Sequence, residues 1–583
     1  MEEDDNDSAL KTSIVVNALQ TLGRGFDLTC DIRIIYCKGT ERSRLIEIDE
    51  EHTKTLEVPG GISIPNVSRD IKCVQGTEEH FSTGVLDFEQ MAGYFNEVLS
   101  LSGKTASGVF NAVFNFSGSW NSDALATKSL AVDGWSIILY SLSLTRAPLT
   151  LIHEVKAAVP YTWDPAALAS FIEKYGTHIV TSVSVGGKDA IYVKQHQSST
   201  LTSTDVELHL KELRSIRFSP YGGHISFLGN EKVADQMLFS TQQILPQPCN
   251  SNGSSSFAGK EDITVIYRRR GGNDLVQGHD EWKKTVPTNP DVVTMTFVPI
   301  TSLLENGPRS DHLSRAILVY LEYKPPIEEL QYFLAFQVAR VWAPVQNELG
   351  PPRREPVCPA LQFSLMGPKL YISTEQVSVG RRPVTGLRLS LEGRNCNRLA
   401  VHVQHLTSLP KVLQPHWDAY IAIGAPKWHG PEEQDSRWFE PVLWRNFSHI
   451  STAPVEFNET WIGDASGAFV VTGAQLGVWD FGLKSVLYLR LLYSKVPGCT
   501  IRRSVWDHTP VSLNQNLKMD SSKVLNTVPT ATSQTPKLLK FVDTTEMSRG
   551  AQDMPGHWLV TGAKLGVDKS KIFLRVRYSL LNY

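Results

Sequence analysis

No run of eighteen apolar residues occurs anywhere in this chain of 583, so it offers no helix able to cross a bilayer unaided. Surplus positive charge is missing too. Lys and Arg number 57 against 60 Asp and Glu, a formal net charge of −3, and nucleic acid, whose binding draws on basic excess, is not an expected partner. The seven cysteines are odd in number, widely spread and without a Cys-x-x-Cys pair, which argues against a zinc or redox site and for reduced thiols. Also lacking are His-Glu-x-x-His, Gly-x-Ser-x-Gly, Gly-x-x-x-x-Gly-Lys and Gly-x-Gly-x-x-Gly, the spacings that carry metal, acyl-transfer and nucleotide chemistry. The expectation is no enzyme, no catalytic residue, no cofactor and no metal. The start, Met1-Glu2-Glu3-Asp4-Asp5, is acidic where a secretory leader is basic, residue 2 is not Gly, and Leu581-Asn582-Tyr583 holds no prenylation Cys. A cytoplasmic chain that meets the plasma membrane peripherally and conditionally is expected.

What is present is a globular composition, 41% hydrophobic and 20% charged, long enough for several domains. After a solvated acidic tail, Leu10, Ile14, Ala18 and Leu22 predict a helix over Ala9–Leu22, followed by a strand near Leu28–Tyr36. Asp87 and Gln90 are spaced as a capping box for a helix over 87–101. Strand patterns follow at Ala106–Phe116 and Trp135–Leu144, joined by a polar connector, Ser117–Asp133; the Phe110, Ala112, Phe114, Phe116 face reads as sheet core. Asp164-Pro165 opens a helix that reaches Tyr175. Ile179–His196 is strand-like, broken by Gly186-Gly187, and Ile263, Val265 and Tyr267 alternate in a later strand. Arg268-Arg269-Arg270 reads as a solvated sheet edge. In the segment Ser198–Gly259, Asp205–Lys211 alternates as a strand while Val206, Leu210 and Leu213 keep helical spacing, so periodicity does not choose.

A helix is predicted from Ile327 to about Ala343, then a Pro-rich linker over 346–360, which divides domain 1–345 from an all-β domain 361–583 with a loop near 512–536. That second domain repeats itself. Val471-Thr472-Gly473-Ala474-Gln475-Leu476-Gly477-Val478 is echoed by Val560-Thr561-Gly562-Ala563-Lys564-Leu565-Gly566-Val567. A fainter third copy is read at Ile372–Val379 followed by Gly386–Leu391. Three such units suggest a β-prism; a β-sandwich with duplicated hairpins fits equally. The ligand of this domain is not legible.

Tyr175-Gly176-Thr177-His178-Ile179, six residues, then Gly186-Gly187 resembles the signature of the membrane attack complex/perforin (MACPF) family, with Ile179 in place of an aromatic residue. A second glycine pair, Gly271-Gly272, ends the later strand. Ala18–Thr29, Tyr36-Cys37-Lys38-Gly39 and Gly187-Lys188-Asp189 are similar to the plant branch, the constitutively-activated-cell-death and necrotic-spotted-lesions type. The resemblance implies an α+β protein, with a bent four-stranded antiparallel sheet and two helical clusters that unfurl into membrane-spanning hairpins. It implies homo-oligomers on membrane lipids, potential pores, and restraint of programmed cell death, the hypersensitive response among it, in salicylic-acid-linked immunity. Gly186, Gly187, Gly271 and Gly272 would be hinges that let strands bend, and His178 a core histidine satisfied by a backbone carbonyl. In the second cluster Val206, Leu208 and Leu210 would face lipid, whereas the soluble form would be a helix packed through Val206, Leu210 and Leu213. The first cluster, taken as Ser117–Asp133, is short for a hairpin, which motivates the alternative of a non-lytic membrane-binding scaffold that recognises partners through its β domain.

Overall fold

The computed structural model describes residues 2–40, 43–101, 105–218, 262–344, 358–364, 366–393, 395–418, 425–443, 447–457, 467–482, 484–507, 538–549 and 557–583. The chain forms two compact units, Met1–Gln331 and Tyr332–Tyr583. The expected linker up to 357, the loop near 512–536 and the stretch 219–259 of the second cluster lie outside the described residues.

In chain order the first unit holds α1 (Glu2–Thr21), β1 (Gly25–Phe26), β2 (Thr53–Val58), β3 (Ile62–Ser68), β4 (Ile71–Gln75), β5 (Glu78–Ser82), α2 (Phe88–Val98), α3 (Gly108–Phe114), α4 (Trp120–Ala126) and β6 (Thr127–Leu144). There follow α5 (His153–Ala158), α6 (Pro165–Tyr175), β7 (His178–His196), α7 (Ser203–Arg217), β8 (Ile263–Arg270), α8 (His279–Thr285), β9 (Asp291–Pro299) and α9 (Pro308–Tyr323). Two long strands, β6 of 18 residues and β7 of 19, pair antiparallel down the middle. The outer rows are each split in two: β4 and β5 both pair with β6, and β8 and β9 both pair with β7. This is the expected four-row antiparallel sheet.

The splits fall at one level. Gly76 and Thr77, between β4 and β5, lie opposite a register shift at Ile138/Tyr140, which lies opposite Gly186, beside the end of β8 at Arg270 and the start of β9 at Asp291. Irregularities aligned across all rows are what a sheet needs to fold along a line rather than twist smoothly.

Above that line both faces are covered. Phe88, Met91 and Phe95 of α2 and Phe110 and Phe114 of α3 pack on Leu130, Val132, Ala190 and Tyr192. Val206 and Leu210 of α7 pack on Ala131, Ile191 and Val193. Because side chains alternate along a strand, these are opposite faces of the same two strands.

Several elements differ from expectation. Residues 108–114 are helical, not extended: Ser107 accepts from the amide of Phe110 as an N-cap, and Asn115 ends the helix at φ 53°. Phe110 and Phe114, spaced by four, satisfy both periods, so these two are core as expected but in another element, with Phe116 partly buried against them and Ala112 outside the cluster. The connector Ser117–Asp133 is α4 running straight into β6. Leu28–Tyr36 is turn and 3-10 helix, because Asp27 accepts from the amide of Thr29 and Asp31 from that of Ile32, local bonds that compete with a ladder. The helix α1 begins at Glu2, inside the acidic stretch. The run after Ile327 is a short helix, Leu330–Ala335, then a strand, Arg340–Ala343, paired with residues 403–406 of the second unit. The boundary therefore precedes the expected 345, and a sheet partner ends the expected helix before Ala343.

Among the described residues the second unit holds three sheets that all contribute to one large apolar cluster, the prism alternative and not the sandwich. Each sheet is built on a hairpin: 384–392 with 398–406, 467–480 with 485–497, and 559–568 with 571–582. The third copy is displaced from its expected alignment. Val384-Thr385-Gly386 is the counterpart of Val471-Thr472-Gly473 and Val560-Thr561-Gly562, and all three carry a β-bulge at that point. Each bulge threonine is buried and bonded across the hairpin, Thr385 to Gln404, Thr472 to Ser494 and Thr561 to Ser579. Each bulge glycine, Gly386, Gly473 and Gly562, meets a two-residue strand handed over from another repeat. Met547-Ser548, preceding the last hairpin, pairs in the first sheet; Val377-Ser378, preceding the first, pairs in the second; Val455-Glu456, preceding the second, pairs in the third. The exchange closes in a circle.

Candidate functional site

The signature residues stitch the base of the sheet. Tyr175 ends α6 buried, and Gly176, at φ +79°, passes so close to β1 that a Cβ would lie 2.6 Å from the carbonyl oxygen of Phe26. Only glycine tolerates both conditions. Thr177 Oγ1 accepts from the amide of Leu28 at 3.1 Å and donates to the carbonyl of Phe26. His178 Nδ1 lies 2.9 Å from Thr177 Oγ1, so its partner is a hydroxyl and not the expected carbonyl. Burial pushes the imidazole down to about 4, which keeps it neutral at physiological pH. The signature is thus a structural seam.

The glycine pairs meet at the fold line. A Cβ on Gly186 would lie 1.9 Å from the carbonyl oxygen of Ile137, and one on Gly271 would lie 2.3 Å from that of Gly186. Gly187 and Gly272 face Trp282, with added carbons 3.1 Å from its Cζ2 and 2.3 Å from its Nε1. Gly271 and Gly272 have φ of +69° and +72°; Gly186 and Gly187 have no positive φ. The first pair is therefore required for close approach and the second for backbone conformation as well. Trp282 of α8 is fully buried and donates from Nε1 to the carbonyl of Gly271 at 2.9 Å, wedging the bend. Sequence reading missed Trp282 and also Gly76, where a Cβ would lie 2.2 Å from the carbonyl oxygen of Ile138. The one available signal for Gly76 was an isolated glycine within a strand pattern.

Of the three candidate inserting residues, the structure buries Val206 and Leu210 against the sheet and leaves Leu208 49% exposed. They are not brought to one face, because the segment is α7, opened by a capping box between Thr202 and Asp205. Leu213, expected to pack with them, lies against the same cluster only partly buried.

The C-terminal end of α7 is tied to the sheet by charge. Asp189 of β7 is fully buried and accepts from Arg217 of α7 (Nε 2.8 Å), Arg269 of β8 (Nε 3.0 Å) and His279 of α8 (Nδ1 3.0 Å). Burial pushes its carboxyl up, but the His279 hydrogen bond and the Arg217 and Arg269 charges outweigh that and hold it below the usual range. Arg214 reaches Asp133 of β6 at 3.7 Å, and His80 of β5 reaches the same carboxylate at 2.9 Å. On the other face Arg268 donates to the carbonyl of Ala112 and to Asn115 Oδ1 at the end of α3. Arg270 pairs with Asp31 at 2.8 Å. Arg268–Arg270 is therefore a set of ties between the sheet and its coverings, not a solvated edge.

A bent antiparallel sheet with a helical cluster held on either face, one in the β5–β6 connection and one in the β7–β8 connection, defines a perforin-like protein. Residues 12–330 match the MAC/Perforin domain model, and the chain belongs to the MACPF family. It is 55% identical to MACPF domain-containing protein CAD1 of Arabidopsis thaliana, over 98% of this chain and 97% of that protein. It is 41% identical to MACPF domain-containing protein NSL1 of the same plant, over 98% and 97%. Among solved structures, GNIP1Aa from Chromobacterium piscinae aligns over 71% of this chain and 73% of its own, with 13% identity and a TM-score of 0.36.

Proposed function

We propose that this chain associates with membrane lipids from the cytoplasm, at the plasma membrane, assembles there into homo-oligomers able to form pores, and restrains programmed cell death in salicylic-acid-linked plant immunity. The reading involves no catalytic step. The observation that carries it is the placement of both helical clusters in connections that join neighbouring strands above the bend. Residues 83–126 separate β5 from β6, and residues 197–262 separate β7 from β8. Since a membrane-spanning strand takes about 9 to 11 residues, each connection is long enough for a hairpin that prolongs its flanking strands. The first cluster is longer than the connector at 117–133 had suggested, which removes the main argument against insertion. The regulatory part is supported by family membership and by the similarity to the plant branch.

Dye release from vesicles of plant lipids, run beside flotation and negative-stain imaging, tests the reading: leakage with ring-shaped particles is expected. Binding without leakage would favour a scaffold, a second reading supported by the buried carboxylates that tie α7 down. Plants lacking the protein and its close paralogues should show lesions or an altered salicylate response, and unchanged plants would remove the regulatory role.

A further inference from the structure

The three hairpins of the second unit act as controls for one another. All share the bulge and the inward apolar positions, so whatever one copy carries beyond these is not demanded by the fold. After the last shared apolar residue (Leu391, Val478, Val567) the first and third copies have Glu392 and Asp568; the middle copy has Trp479. Trp479 stacks on Tyr488 with centroids 4.2 Å apart. Phe439 lies 6.0 Å from Trp479 and from Phe481, and Phe481 is 47% exposed. Trp479 and Phe481 have no aromatic counterpart at the matching positions of the other two hairpins, Trp479 and Phe439 are half-buried, and Phe481 is open to water; an aromatic edge of this kind marks a contact site.

A cleft of about 360 Å³ opens beside Phe439 and Phe481. Its rim carries Glu433, Gln434, Ser436, His449 and Lys484. One acidic and one basic side chain face it, and His449, which bonds through Nδ1 to the carbonyl of Phe447, is kept towards its neutral form by burial and by Lys484. Such a lining has no net charge to attract a phosphate or a cation. It offers instead an amide, a hydroxyl, a carboxylate and an amine around an aromatic floor. That combination suits a ring with an apolar C–H face and hydroxyls at its edge, the floor taking the face and the rim orienting the hydroxyls.

We propose that this cleft binds a neutral hexose ring, either in a glycolipid headgroup or in a free or polymeric saccharide. The site is independent of insertion, so sugar binding and vesicle permeabilisation can fail separately. The test uses the full chain. Saturation-transfer NMR with glucose, galactose, mannose, N-acetylglucosamine, cellobiose and lactose should give transfer to at least one sugar, with millimolar affinity, as an open single-ring site supports. Phe481→Ser and Glu433→Ala alter exposed side chains, so their melting temperatures should match the parent while affinity falls by about tenfold or more. Flotation with phosphatidylcholine vesicles, with and without glucosylceramide, separates the sources: binding that requires the glycolipid points to a headgroup, and NMR binding without it points to a free saccharide. The proposal is overturned if no sugar in the panel shows transfer, if both variants bind as the parent does, or if vesicles without sugar bind in a Phe481-dependent way, which would make the patch a lipid-interface contact.

Discussion

Gly187 leaves no room for a side chain, since its added Cβ would sit 2.6 Å from Val286 Cγ2 and 3.1 Å from the buried Trp282. Gly187→Val is therefore expected to lower stability by about 1–3 kcal/mol through overpacking, read by thermal melting, and to impair oligomerisation on vesicles in parallel. Normal melting with normal assembly would remove the bend from the mechanism. His178 supplies a pH dependence. Its folded-state value, about 4, lies below the ordinary 6.5, so its contribution is whole above the ordinary value and is lost as pH falls from there towards 4. That loss amounts to roughly 3 kcal/mol, and His178→Gln should flatten the stability profile in that window. The signature itself was readable because its spacing is local. The ties around Asp189 were not: Arg217, Arg269 and His279 are far apart in sequence and converge only when β7, β8, α7 and α8 are assembled.

At the level of elements, the proposed insertion would give α7 a second conformation, and one exposed position tells it from the helix. Leu208→Lys changes a half-exposed helix residue and should leave monomer stability within about 0.5 kcal/mol, while opposing a spanning strand by roughly 2–4 kcal/mol if residue 208 faces lipid. Vesicle leakage equal to the parent would exclude this segment from the inserting hairpin. Arg217→Ala removes one of the donors to Asp189 and should raise hydrogen exchange in α7 more than elsewhere in the first unit; unchanged α7 exchange would show that the helix does not depend on its tie to Asp189. Two helices with chemical start signals were legible: Asp87 with Gln90, and Asp164-Pro165, begin helices where the sequence places them, while the Ser107 cap of α3 and the Thr202–Asp205 box of α7 went unread. Elements set by spacing alone were legible only in part: the apolar spacing over Ala9–Leu22 and the alternation of Ile263, Val265 and Tyr267 correspond to α1 and β8, whereas two others were misread. The alternation at Phe110–Phe116 misreads because positions 110 and 114 belong to both periods, and the strand at Arg340–Ala343 follows a partner some sixty residues away.

Across the whole molecule, the β domain shows why a repeat can be seen and still be misaligned. Two copies share seven of eight residues, but the third shares with them only Val384-Thr385-Gly386 at the bulge and Leu389 beyond it, a match too short to stand out beside the longer-looking run at Ile372–Val379. Thr472→Val tests the weight of the bulge: the buried hydroxyl bonds Ser494, so an unmatched partner should cost about 1–3 kcal/mol in the melting of the second unit.

The circular exchange of short strands also constrains how this domain is made. The first hairpin, 384–406, receives Met547-Ser548 as its neighbour, so a chain emerging from the ribosome exposes the open edge of its first sheet until more than a hundred further residues have been synthesised. None of the three sheets is complete on repeats taken singly, and a chain truncated before residue 547 leaves the first without its last strand. Removing the tail should therefore unfold the domain as a unit rather than shorten it by one third.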